Sequence, residues 1–208
     1  MSWIDKIDRI VVLNLLKRQD RLLQITEHFE EYDIPFQRYS AIENERGAEG
    51  LKDTMIELFK DCIEKNMQYV LVFEDDAFCV VQKQVLHNTM NNVLNNLPEN
   101  WGMCFLGAQV TGKFTYRHTE NILSAVKIFS THSVLYSLKG MKEILAQGIY
   151  APIDNFYVEK IEPLHISYIA YPLLFSQKEG YSDICKQTIS WRPFIDGSYN
   201  QRYNEFNG

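Results

Sequence analysis

The sequence predicts an α/β protein on a mainly parallel, doubly wound sheet, with a smaller antiparallel part in the C-terminal half. Three observations carry this. Apolar runs of strand length alternate with helix-periodic stretches through the first half. The early runs are continuously apolar, as strands buried on both faces are. The length, 208 residues, suits one core rather than two.

Ile10 to Leu13 is the first buried strand. Leu22, Ile25, Phe29 and Tyr32 then recur at helical spacing, and Pro35 stops that helix. Phe36 to Ala41 is the second strand. Gly50 opens a helix with Leu51, Met55, Leu58, Phe59, Cys62 and Ile63 on one face. Tyr69 to Phe73 is the third strand, and Leu86, Met90, Val93, Leu94 and Leu97 form a helical stripe closed by Pro98. Met103 to Leu106 is the fourth strand. Short runs at 113–116, 122–129 and 133–137 read as antiparallel strands, 138–147 and 152–160 as helices, and 166–170 as a strand. From Tyr171 the chain reads as loop-rich. Residues 1–190 are expected to form one domain. The tail 191–208, with Trp191, Phe194, Tyr199, Tyr203 and Phe206, packs over it or against a partner in a homodimer, or forms an acceptor surface or lid.

Net charge is −6, with −7 in residues 1–104 and +1 in residues 105–208. Such a chain lacks the basic footprint of a nucleic-acid binder. The four cysteines have neither zinc nor redox spacing, and three sit in apolar surroundings. No apolar stretch reaches 18 residues, and no leader is visible at the N-terminus. The expectation is a cytoplasmic protein without a transmembrane segment, free or peripheral at a membrane surface.

Glu74-Asp75-Asp76 directly follows the third strand. Three carboxylates between apolar runs are costly to bury without compensation. The alternatives are an acidic turn facing water and a site for a hard divalent cation, Mn²⁺ or Mg²⁺. Ligands of doubly wound sheets bind beyond the carboxyl ends of the strands, which is where the triplet lies.

These residues belong to a wider pattern. Ile10 to Leu15 with Asp20-Arg21, Gly50 with Thr54, Leu71 to Ala77, Leu97 to Trp101 through Gly107, and Pro152-Ile153-Asp154 with Pro172 to Ile184 follow one another in order. The chain resembles glycosyltransferase family 25, which includes lipooligosaccharide galactosyltransferases and domains of collagen galactosyltransferases. The resemblance implies a Rossmann-like GT-A fold, a UDP-sugar donor, a saccharide or glycoconjugate acceptor, and inversion at the anomeric carbon. It also implies that Asn14, Leu15 and Arg21 lie near the nucleotide. Glu74 and Asp75 would approach ribose or sugar, and Asp76, with Glu74, would hold the metal. Leu16-Lys17 stands where the family often has aspartate and arginine, and Thr54-Met55 where it has serine and histidine. The donor sugar is therefore galactose or another hexose.

Inverting transfer needs a base for the acceptor hydroxyl. Asp154 is the first choice, with a helix N-cap as its other role; Asp183 is the reserve. Lys17 and Arg21 meet phosphate or uracil, or form a solvated helix face. Gln177 and Ser182 contact the donor or belong to a polar loop. His132 and His165 complete a metal shell or simply pack. Two alternatives stand beside a metal-dependent transferase: a catalytically silent carbohydrate-binding protein on the same fold, and a nucleotidyltransferase. The second alternative would be expected to carry a glycine-rich loop after the first strand, and residues 14–18 contain no glycine.

Overall fold

The most apolar run, Val70 to Phe73, lies in the interior of the main sheet. The computed structural model describes residues 2–208. Its first half contains β1 (Arg9–Asn14), α1 (Gln19–Glu31), β2 (Gln37–Ser40), α2 (Gly47–Glu64), β3 (Tyr69–Glu74), β4 (Ala77–Cys79), α3 (Lys83–Asn96) and β5 (Met103–Phe105). The second half adds β6 (Gln109–Thr119), β7 (Ile122–Phe129), β8 (Ser133–Ser137), α4 (Leu138–Ala146), α5 (Ile153–Phe156), β9 (Ser167–Ala170), β10 (Phe175–Gln177), β11 (Gly180–Ser182), β12 (Gln187–Ile189) and α6 (Arg192–Asn207).

The main sheet has eight strands in the order β2-β1-β3-β8-β5-β9-β7-β6. Six point one way, and only β8 and β7 oppose them. The fold is thus α/β and mainly parallel in direction. The parallel run β2-β1-β3 stops where the sequence suggested it would continue, because β3's other neighbour is β8 rather than β5. β8 follows β7 after the short turn 130–132, and it starts at the edge where β3 ends. From there it can only run back antiparallel to β3. Strand alternation sends Ile10, Val12, Leu71 and Phe73 toward α1 and α3, and Val11, Leu13, Val70 and Val72 toward α2 and α4.

The end of the chain is a correction. In place of loop there are three short strands and the helix α6. Strands of three residues carry no readable period, and Pro193 with Gly197 obscures the helix. Pro193 fits the first turn of α6, where a missing N–H costs nothing. Tyr199, Tyr203 and Phe206 pack around Phe114 of β6 at centroid distances of 5.3, 6.0 and 6.1 Å. Tyr203 stacks on Tyr171 at 4.0 Å, and the Tyr199 hydroxyl donates to the Ala170 carbonyl at 2.6 Å. The aromatic tail is therefore docked on its own domain. The helix expected over 152–160 is present from Ile153 to Ile161, with α geometry in α5 and π geometry from Tyr157.

Cys62, Cys79 and Cys104 are buried and Cys185 is exposed, all as free thiols. Among the described residues no helix is long and apolar enough to cross a membrane.

A Cβ on Gly107 would lie 2.0 Å from the Phe175 carbonyl oxygen and 2.5 Å from His132 Nε2. Gly107→Ala must push β10 away, at a cost of about 1–3 kcal/mol. A urea midpoint equal to wild type would contradict this packing. His132 is fully buried, and among the described residues neither ring nitrogen has a well-formed hydrogen bond. It packs there and does not reach the cavity, while His165 is exposed. Burial pushes the His132 ring down to about 4, although the Phe175 carbonyl and Asp196 pull the other way. A lowered histidine leaves full stability above the unfolded value near 6.5, and stability falls as pH drops from there toward 4. The loss is about 3 kcal/mol, and His132→Gln should flatten it in denaturation profiles.

Candidate active site

β3 ends at Glu74 and β4 begins at Ala77, so Asp75-Asp76 is a two-residue turn between strands. Strand β10 fixes the turn: Gln177 pairs opposite Ala77, and the Lys178 N–H donates to the Asp76 carbonyl at 2.8 Å. The triplet is therefore presented at the strand end and does not hang free in water.

Each carboxylate has a different environment. Asp75 accepts from Asn14 Nδ2 at 2.8 Å and from Arg21 Nη1 at 2.6 Å. Burial raises its carboxyl, with Arg21 pulling against it. Asp76 is held more loosely, by Arg21 Nη1 at 3.1 Å and Gln177 Nε2 at 3.2 Å. Glu74 accepts from the Thr131 hydroxyl at 2.8 Å. Burial first, then the charges of Asp76, Asp154 and Asp75, push Glu74 up to about 8 against that bond.

Asp154 lies in the first turn of α5 and does not cap it; Pro152 takes the N-cap position. Its Oδ1 instead accepts the Ser130 N–H at 2.8 Å, and Oδ2 has no hydrogen-bond partner among the described residues. Burial raises this carboxyl too, with the Ser130 N–H opposing. A raised, partly free carboxylate is suited to taking a proton. Asp183 is unsuited: despite some burial, Arg18 and Lys17 hold its carboxyl below the ordinary range.

These groups border one cavity of about 400 Å³ beyond the ends of β1 and β3. Leu15, Lys17, Arg21, Glu74, Asp75, Asp76, Asp154, Gln177 and Ser182 all line it. Asn14 and Thr54 do not. Asn14 is buried behind the wall, where Nδ2 also donates to the Arg18 carbonyl and Oδ1 accepts from Arg38 Nε at 2.9 Å. Its place is to hold Asp75. The buried Thr54 hydroxyl donates to the Gly50 carbonyl at 2.7 Å and accepts the Ile42 N–H at 2.8 Å. It pins the 41–44 loop, which does line the cavity. A Cβ on Gly50 would sit 2.5 Å from the Ile42 carbonyl, so glycine is required for that approach. Sequence reasoning missed the 41–44 loop, Gln109, Ser130 and Thr131. The rule that ligands bind past strand ends would have pointed to 41–44, which follows β2.

Among the described residues no three His, Cys, Asp or Glu side chains form a ready-made metal shell. The donor set still fits a hard cation. Magnesium-type sites use one or two carboxylates and take their remaining ligands from phosphate and water. Asp76 has the longest hydrogen bonds of the triplet, and Glu74, raised by burial and by its carboxylate neighbours, has no cationic partner of its own among the described residues. Asp76 and Glu74 are the residues that would hold the ion.

No protein-family model matches the chain, and no curated protein sequence matches it. Solved structures do. A glycosyltransferase involved in glycosylation of the major capsid of PBCV-1 is 16% identical, with a TM-score of 0.51 over 86% of this chain and 96% of that one. A Drosophila β-1,4-galactosyltransferase 7 mutant, solved with manganese, UDP-Gal and xylobiose, is 11% identical. Its TM-score is 0.50 over 88% of this chain and 75% of that one. This chain has the GT-A glycosyltransferase fold.

Proposed function

We propose that this protein is a metal-dependent glycosyltransferase of the family 25 type. It would move galactose or another hexose from a UDP-sugar to a hydroxyl of a saccharide or glycoconjugate, with inversion, in the cytoplasm or at its membrane surface. The observation that carries this is the convergence of Glu74, Asp75, Asp76 and Asp154 on one cavity that also has Lys17 and Arg21 on its wall. The fold is shared with the galactosyltransferase 7 mutant that holds manganese and UDP-Gal.

Lys17 and Arg21 offset charge on the donor diphosphate. Asp154 Oδ2 takes the acceptor hydroxyl proton as that oxygen bonds to the anomeric carbon. The bond from that carbon to the phosphate oxygen breaks, and UDP leaves with the electron pair. Asp76 and Glu74 would hold Mn²⁺ or Mg²⁺, which would supply further neutralisation of the leaving phosphate. Asn14 and Arg21 keep Asp75 in place throughout.

UDP with Mn²⁺ is expected to raise the melting temperature, since a ligand at 100 times its Kd adds about 2.7 kcal/mol. Asp76→Asn should remove the shift; an equal shift in the variant would overturn the assigned metal residue. One observation favours a second reading. Arg21 already engages both Asp75 and Asp76, which suits a silent saccharide-binding protein on this fold.

A further inference from the structure

The β11–β12 hairpin borders the cavity, with Ser182 to Lys186 forming part of its wall. It has no apolar anchor. Every residue from 180 to 189 is exposed or half-buried, and its two strands pair only with each other. Charge holds it. Arg18 Nη1 donates to Asp183 Oδ2 at 2.7 Å, and Lys17 Nζ lies 3.3 Å from Asp183 Oδ1. Arg18 and Arg21 also donate to the Tyr181 carbonyl, at 3.2 and 2.9 Å. The hairpin tip rests on backbone at Gly47, where a Cβ would come within 2.8 Å of Ile184 Cα.

A carboxylate gripped by one lysine and one arginine at a cavity wall presents the same oxygens that a phosphate would. Lys17 and Asp183 line the cavity and Arg18 stands behind Asp183, so a ligand phosphate there meets Lys17 directly and reaches Arg18 only by displacing the carboxylate. Each cation keeps a second acidic partner, Glu43 at 2.6 Å from Lys17 and Asp20 at 3.0 Å from Arg18. We propose that Lys17 and Arg18 form an anion subsite for a ligand phosphate, and that Asp183 fills it in cis. The hairpin is then a strap, released when an anionic ligand takes the place of Asp183. Naming the ligand a diphosphate rests on the donor reading; the cation pair and the strap do not.

The closed strap lowers apparent affinity by the fraction of molecules with a free subsite. Inorganic pyrophosphate tests this without any sugar. Its binding by calorimetry should tighten about fivefold in Asp183→Asn, given the modest strength of partly exposed ion pairs. In the wild-type protein, pyrophosphate should also speed tryptic cleavage after Lys186, because the strap loosens. Asp183→Ser serves the same purpose if the Asn variant does not fold. Unchanged or weaker binding in the variant, no pyrophosphate binding to either protein, or protection of the Lys186 bond overturns the proposal. Loss of sugar transfer with this coupling intact would instead count against the glycosyltransferase reading.

Discussion

Asp154→Asn is expected to lower kcat for sugar transfer by about 10²–10⁴-fold, the range for loss of a general base. UDP binding should stay within about twofold, because Asn keeps the shape and still accepts the Ser130 N–H. The pH profile adds a second check. Transfer needs the ionised carboxylate, so the rate falls as pH drops through the Asp154 pKa. Burial raises that pKa, which puts the acid limb above the ordinary aspartate range. Full turnover in the variant, or an acid limb at the ordinary aspartate value, contradicts Asp154 as the base.

Asp75→Ala is expected to produce the largest loss of stability in the site. Asp75 and Arg21 have only 10% and 14% of their side chains exposed. Deleting one partner of such a pair leaves the other uncompensated, at about 3–5 kcal/mol. Asn14 Nδ2 also loses an acceptor, although it keeps the Arg18 carbonyl. Arg21 keeps Asp76, so the low end, about 3 kcal/mol, is expected, or roughly 10 °C in Tm. Asp75→Asn, which still accepts from Asn14, should lose less. Equal urea midpoints for Asp75→Ala and wild type would contradict a structural hold by Arg21.

The parts legible in sequence were those with strong local pattern. Ile10 to Leu13 and Val70 to Phe73 read as two-face-buried strands because both faces of the sheet carry helices. Asp75 and Asp76 stood out because charge between apolar runs is costly, and the strand-end rule placed them at a cavity. That 133–137 is antiparallel was legible, but its insertion between β3 and β5 was not, because that follows from where the turn 130–132 lies in space. Asn14 and Thr54 stand at motif positions that suggest ligand contact, yet both are buried and spend their polar atoms on neighbouring protein groups. A motif position does not separate a residue that touches a ligand from one that holds such a residue. The role of Thr131 beside Glu74 depends on a contact 57 positions apart in the chain and leaves no local signal.

The proposed function requires that the carboxylate-lined cavity turn over a UDP-sugar. Incubation with a panel of nucleotide sugars and Mn²⁺, read as UDP released to water without any acceptor, tests it most directly. A UDP-hexose should release UDP slowly, and Asp76→Asn should abolish that release. UDP that binds with Mn²⁺ while every nucleotide sugar stays intact after long incubation would contradict the proposed function.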